Sequence, residues 1–67
     1  MPRKVRELIA DLRQAGFFLD RQKGSHRQFK HPSVGGVVPL SGAEGDDAHI
    51  YQERQVAKAI EQSRKNL

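Results

Sequence analysis

The sequence predicts an α+β fold in two layers: a helix, a three-stranded antiparallel sheet and a second helix. Three observations carry this expectation. Apolar residues near the amino end recur at helical spacing, a basic middle section alternates in period two around a Gly-Ser turn, and helical spacing returns after a loop rich in glycine and acid. With both helices on one face of the sheet, its other face is left open.

Pro2 suits the first turn of a helix, where its missing amide hydrogen is not needed. Over residues 3–15, Val5, Leu8, Ile9 and Leu12 stand at i, i+3, i+4 and i+7, one face of a helix, and Gly16 supplies the stop. Arg3, Arg6 and Arg13 fall along one flank of that face, Glu7 and Asp11 towards the other. Residues 17–22 and 26–31 read as strands joined by the tight turn Lys23-Gly24-Ser25. Alternation puts His26, Gln28 and Lys30 on one face and Arg27, Phe29 and His31 on the other, so Phe29 is expected in the core and His26 away from it. Residues 32–36 read as a turn and 37–40 as a third strand, whose Pro39 argues for an edge. Residues 41–49 form a loop. From about Tyr51, the residues Val56, Ala59, Ile60 and Ser63 make the inner stripe of the closing helix, with Ile50 and Leu67 adding apolar contact at its ends. Arg64 and Lys65 complement the dipole at its carboxyl end.

Sixty-seven residues allow one domain, 1–67, with a small core. A chain of this size buries only about 60% of the surface exposed when unfolded, which makes a binding partner an expected source of stability. The absence of cysteine excludes disulfides and thiolate metal sites and fits a reducing compartment. No apolar run is long enough for a signal peptide or a membrane span, so the expected location is the cytoplasm.

The formal net charge of +4 is unevenly spread. Residues 21–31 hold Arg21, Lys23, Arg27 and Lys30 and no acid, whereas residues 41–53 hold Glu44, Asp46, Asp47 and Glu53 and no lysine or arginine. A basic face interrupted by one acidic loop is what a polyanion needs, although most charge runs are plain solvated surface. What favours a site is the histidine and the aromatic inside the basic hairpin. Cations hold a phosphate backbone and a histidine moves a proton beside it, so RNA is the expected ligand.

The run Gly24-Ser25-His26, with Arg21 three residues before the glycine and Phe29 and Pro32 beyond it, resembles the HicA toxins of HicAB toxin-antitoxin systems. The likeness extends through the amphipathic opening, Gly16-Phe17, and Asp46-Asp47 ahead of the last helix, covering nearly the whole chain. It implies a fold like the double-stranded RNA-binding domain, an endoribonuclease that cleaves mRNA, silencing by a HicB-like antitoxin, and His26 as the catalytic residue. His26 would take the proton from a 2′-hydroxyl attacking the adjacent phosphorus, with no metal or other cofactor, leaving a 2′,3′-cyclic phosphate. Arg21, Lys23, Ser25, Arg27 and Lys30 are the expected RNA-binding residues, and Lys23, Arg27 and Lys30, the last on the face of His26, are the candidates to stabilise the charge building on the phosphoryl oxygens.

This chain departs from the commoner HicA form, in which a proline is closely followed by histidine after the third strand; here the sequence is Pro39-Leu40-Ser41, and a second catalytic group is left unassigned. His31 faces away from His26, which argues against a two-histidine metal site and for a structural role before Pro32. His49 is expected as a surface or capping residue, with a general acid as the other reading. The acidic cluster is either a divalent-cation site or, more simply, a cap at Asp47 with the remaining acids balancing the hairpin. Two further functions stay open: a catalytically silent RNA-binding module of the double-stranded type, and an interaction protein whose basic face docks an acidic partner.

Overall fold

The computed structural model describes residues 3–65. Pro2 and Leu67, expected at the two helix ends, lie outside the described residues. The element order is α1 (Val5–Gln14), β1 (Phe18–Lys23), β2 (His26–His31), β3 (Val34–Leu40) and α2 (Ile50–Lys65). The strands form one antiparallel sheet in the order β1-β2-β3, which makes β3 an edge, as Pro39 requires.

Helix α1 buries Val5, Leu8, Ile9 and Leu12, the stripe that its periodicity announces. Its amino end is closed from afar: the Val5 and Arg6 amides donate to the carbonyls of Asp46 (2.9 Å) and Glu44 (3.1 Å), and Glu7 Oε2 accepts from the Lys4 amide (2.8 Å). Its carboxyl end is a Schellman turn. Gly16 takes φ +97°, its amide donates to Arg13 O (3.0 Å), and the Phe17 amide donates to Leu12 O (2.9 Å). Phe17 therefore belongs to the helix stop, where it is buried beside Leu12, and β1 starts one residue later than the alternation suggests.

The β1–β2 turn is tight because Gly24, at φ +59°, occupies its first central position and Ser25 follows without positive φ, as a type II′ hairpin requires. Strand β3 is longer than expected and includes Val34, Gly35 and Gly36. Glycines normally signal a turn, but here they occupy an irregular stretch of the β2–β3 ladder between the Phe29–Val38 and His31–Val34 pairs.

The core lies between the helices and the inner face of β2 and β3, where Phe29, Val38 and Leu40 meet Val5, Leu8, Leu12, Val56 and Ala59. Helix α2 contributes the stripe Gln52, Val56, Ala59 and Ser63, with Ile60 partly buried beside it. Ile50, expected as an apolar contact, is 66% exposed because at about 100° per residue it falls on the opposite side of the helix from Gln52 and Ala59. Strand β1 is exposed along its whole length, so the helices cover the sheet only from β2 outward to β3.

Candidate nucleic-acid interface

The open face of the sheet carries His26, Gln28 and Lys30 from β2, all exposed, while Arg27, Phe29 and His31 turn towards the helices. What β1 adds is decided by an irregularity. The ladder pairs Leu19 with Phe29 and then skips Asp20, pairing Arg21 with Gln28, Gln22 with Arg27 and Lys23 with His26. Facing residues in a ladder share a face. The bulge at Asp20 thus shifts the alternation of β1 by one and brings Arg21 and Lys23 onto the face of His26. Unbroken alternation from Leu19 would have turned both towards the helices.

Lys23 faces His26 directly, and Ser25 lies in the turn between them. Lys30 is further along the same face, where its Nζ is 3.7 Å from Asp20 Oδ2. The bulged acid therefore offsets part of the Lys30 charge, while Arg21 and Lys23 share the face of His26. Arg27 has a different setting. It points inward, and its Nη1 donates to Gly42 O (3.0 Å), tying β2 to the loop after β3. Arg3, at the start of the arginine flank of α1, is 2.6 Å from Asp11 and 3.9 Å from Glu7. The hydrogen bond that Arg3 donates to Asp11, followed by the nearby carboxylate charges, raises the Arg3 pKa, and the residue serves the helix surface rather than the sheet face.

A cavity of about 200 Å³ opens beside His26. It is lined by Arg27, Gln28, Pro39 and Ser41 from the sheet side and by Tyr51 and Gln55 from α2. Gln52, 2% exposed, forms its back wall: Oε1 accepts from the His49 amide (2.9 Å) and Nε2 donates to Ser41 O (3.0 Å). These contacts hold the start of α2 against the end of β3. Sequence periodicity does not single out Tyr51 or Gln55, though Tyr51 is visibly off the inner stripe of α2.

The other two histidines have defined places. His31 Nδ1 accepts from the Ser33 amide (2.9 Å), so Nε2 bears the proton and donates to Ala15 O (3.1 Å). Its ring also lies 4.9 Å from that of Phe17. His31 thus caps the carboxyl end of α1 across the sheet, a structural role remote from His26. At the start of α2, the His49 carbonyl accepts from the Gln52 and Glu53 amides (3.0 and 3.2 Å), and the His49 ring stacks on Tyr51.

The acidic loop works mainly on α1. Asp47 does not cap α2 as expected; its Oδ1 meets Lys4 Nζ at 2.5 Å, and Asp46 Oδ2 accepts from the Ala43 amide (3.1 Å). The remaining loop carbonyls cap α1 as described above. Among the described residues no three His, Asp or Glu side chains converge in a way that would hold a metal ion, and no helix is long and apolar enough to cross a membrane.

A family model described as the HicA toxin of bacterial toxin-antitoxin systems matches residues 5–62. These residues run from the first turn of α1 to the last turn of α2 and include the whole sheet. No curated protein matches the chain.

Proposed function

The chain belongs to the HicA family of bacterial toxins, and on that premise we propose that it is an endoribonuclease that cleaves messenger RNA with His26 as general base. The observation that carries this reading is the pairing of His26 with Lys23 on the open sheet face, with Arg21 beside them. An imidazole that shares one face with two cations suits attack within an RNA strand.

In that reaction His26 takes the proton of a 2′-hydroxyl while the 2′-oxygen bonds to the adjacent phosphorus. The bond from phosphorus to the 5′-oxygen of the next nucleotide breaks, and that oxygen leaves with a proton from water or the imidazolium. The products are a 2′,3′-cyclic phosphate and a 5′-hydroxyl. The chemistry asks for no metal, because Lys23 and Arg21 supply positive charge to the phosphoryl oxygens as they become more negative. Ser25 adds a hydroxyl at the turn, Lys30 extends the phosphate track, and Arg27 acts from the inner side, holding the loop at Gly42 and adding its charge to the cavity.

A toxin of this family is neutralised by an antitoxin, here a HicB-like protein that covers His26 and sets acidic side chains against Arg21 and Lys23. Occlusion with charge mimicry is the direct way to silence an open, basic site. A complex in which His26 stayed open would contradict it. The setting for both partners is the cytoplasm, where messenger RNA is found.

The test compares wild-type and His26→Ala protein on single-stranded RNA in EDTA, recording products and binding. Cleavage by wild-type alone, with binding kept in both, supports the nuclease. Binding without cleavage in either protein points instead to the silent RNA-binding module.

A further inference from the structure

Tyr51 borders the His26 cavity, yet the proposed chemistry gives it nothing to do. It stands on the first turn of α2 and is 59% exposed. Despite that exposure the ring is held. The His49 ring lies parallel to it, with centroids 5.7 Å apart and planes 11° from each other. His49 is itself anchored through its amide to Gln52 Oε1 (2.9 Å), and Gln52 is buried against Ser41. A large flat ring thus rests against His49 on one side while most of its surface stays in solvent, at the mouth of a cavity whose exposed lining includes the amides of Gln28 and Gln55.

A ring so placed has a face free to stack on a flat ligand. Aromatic side chains bind unpaired bases in this way, and amides that both donate and accept suit the edge of a base. The cavity, about 200 Å³, falls below the roughly 300–1,000 Å³ of pockets that enclose whole drug-sized ligands. Its size therefore suits a small flat group at its mouth rather than a wholly enclosed ligand.

We infer that Tyr51 is the base-stacking platform of the site: an unpaired base next to the scissile linkage lies on its open face, with its edge towards Gln28 and Gln55. The inference rests on the nuclease reading for the nature of the ligand and narrows it to single-stranded RNA. A base inside a duplex reaches the ring only after losing its own stacking and pairing. Tyr51 is a positioning residue here: by seating the base it fixes the sugar that follows and so the hydroxyl presented to His26.

The chain contains one tyrosine and no tryptophan, so its tyrosine emission reports on Tyr51 alone. The experiment titrates wild-type protein with a short 2′-O-methylated single-stranded RNA, which lacks the attacking hydroxyl and stays whole. The same is done with an abasic 2′-O-methyl strand of equal length and with a 2′-O-methyl duplex, and binding is followed separately by anisotropy of a labelled strand. The single strand is expected to quench the emission, while the abasic strand and the duplex bind without quenching. Tyr51→Ala is expected to weaken single-strand binding by about 5- to 150-fold, the range for one base-aromatic stack. Its salt dependence is expected to be unchanged, and Tyr51→Phe should bind as wild-type does. Binding with unchanged emission, quenching by the abasic strand, or wild-type affinity in Tyr51→Ala would each overturn the stacking role and leave the nuclease reading standing. No binding of any strand at low salt would bring down the nuclease reading and this inference together.

Discussion

Lys23 and His26 form the last cross-strand pair of the β1–β2 hairpin, one on each side of the Gly24-Ser25 turn. The pair shares the open face of the sheet, and the distinction between that face and the inner one sorts the basic residues into those proposed to meet RNA and those that hold the fold.

On the open face, His26→Ala is expected to lower the cleavage rate by about 10²- to 10⁴-fold, the usual contribution of general acid-base catalysis. Because His26 is exposed and makes no packing contact in the core, the unfolding free energy should stay within about 0.5 kcal/mol of wild-type. Single-turnover cleavage and urea denaturation of the same preparation check both halves.

Lys23 and Arg27 lie four residues apart in a basic run but are expected to behave differently. Lys23→Ala should weaken RNA binding for all sequences and reduce the log-log salt slope by about one, the mark of a lost phosphate contact. Arg27→Ala removes the bond to Gly42 O and should lower stability by about 1–2 kcal/mol. Salt titrations of binding combined with thermal melts separate the two, and equal salt slopes would argue against this division of roles.

His31→Ala should cost about 1–3 kcal/mol, since it leaves Ala15 O and the Ser33 amide without this partner and removes the ring beside Phe17. The folded fraction should cleave RNA at the wild-type rate. A large rate loss in fully folded His31→Ala protein would show that the two histidines act together.

Gly16→Ala is expected to destabilise the protein by more than the roughly 1–2 kcal/mol of a left-handed non-glycine residue. Besides φ +97°, an added Cβ would lie 3.0 Å from His31 Nε2, so the cap itself must move. Gly24→Ala meets only the conformational term, because nothing lies within 4 Å of its Cβ position. Urea midpoints should therefore fall further for Gly16→Ala than for Gly24→Ala.

The helices, the Gly16 stop, the hairpin and the inward course of Phe29 were legible because each follows from residues close in sequence: 3.6-residue spacing, a period of two, a glycine at a turn. The same holds for His26 on the open face, whose strand is regular from its first residue to Phe29. By itself, the sequence determined the two-layer layout and one exposed histidine in a basic hairpin. Three matters were left to the tertiary structure. Which way Arg21 and Lys23 point depends on the bulge at Asp20, and a bulge exists only relative to the partner strand. The acids of residues 44–47 serve α1, about forty positions earlier in the chain, because the first amides of that helix lack partners within it. Tyr51 reaches the His26 cavity because Gln52 fastens α2 to Ser41 at the end of β3. Local spacing fixes which face of its own element a residue occupies, but only packing between distant elements decides which faces meet.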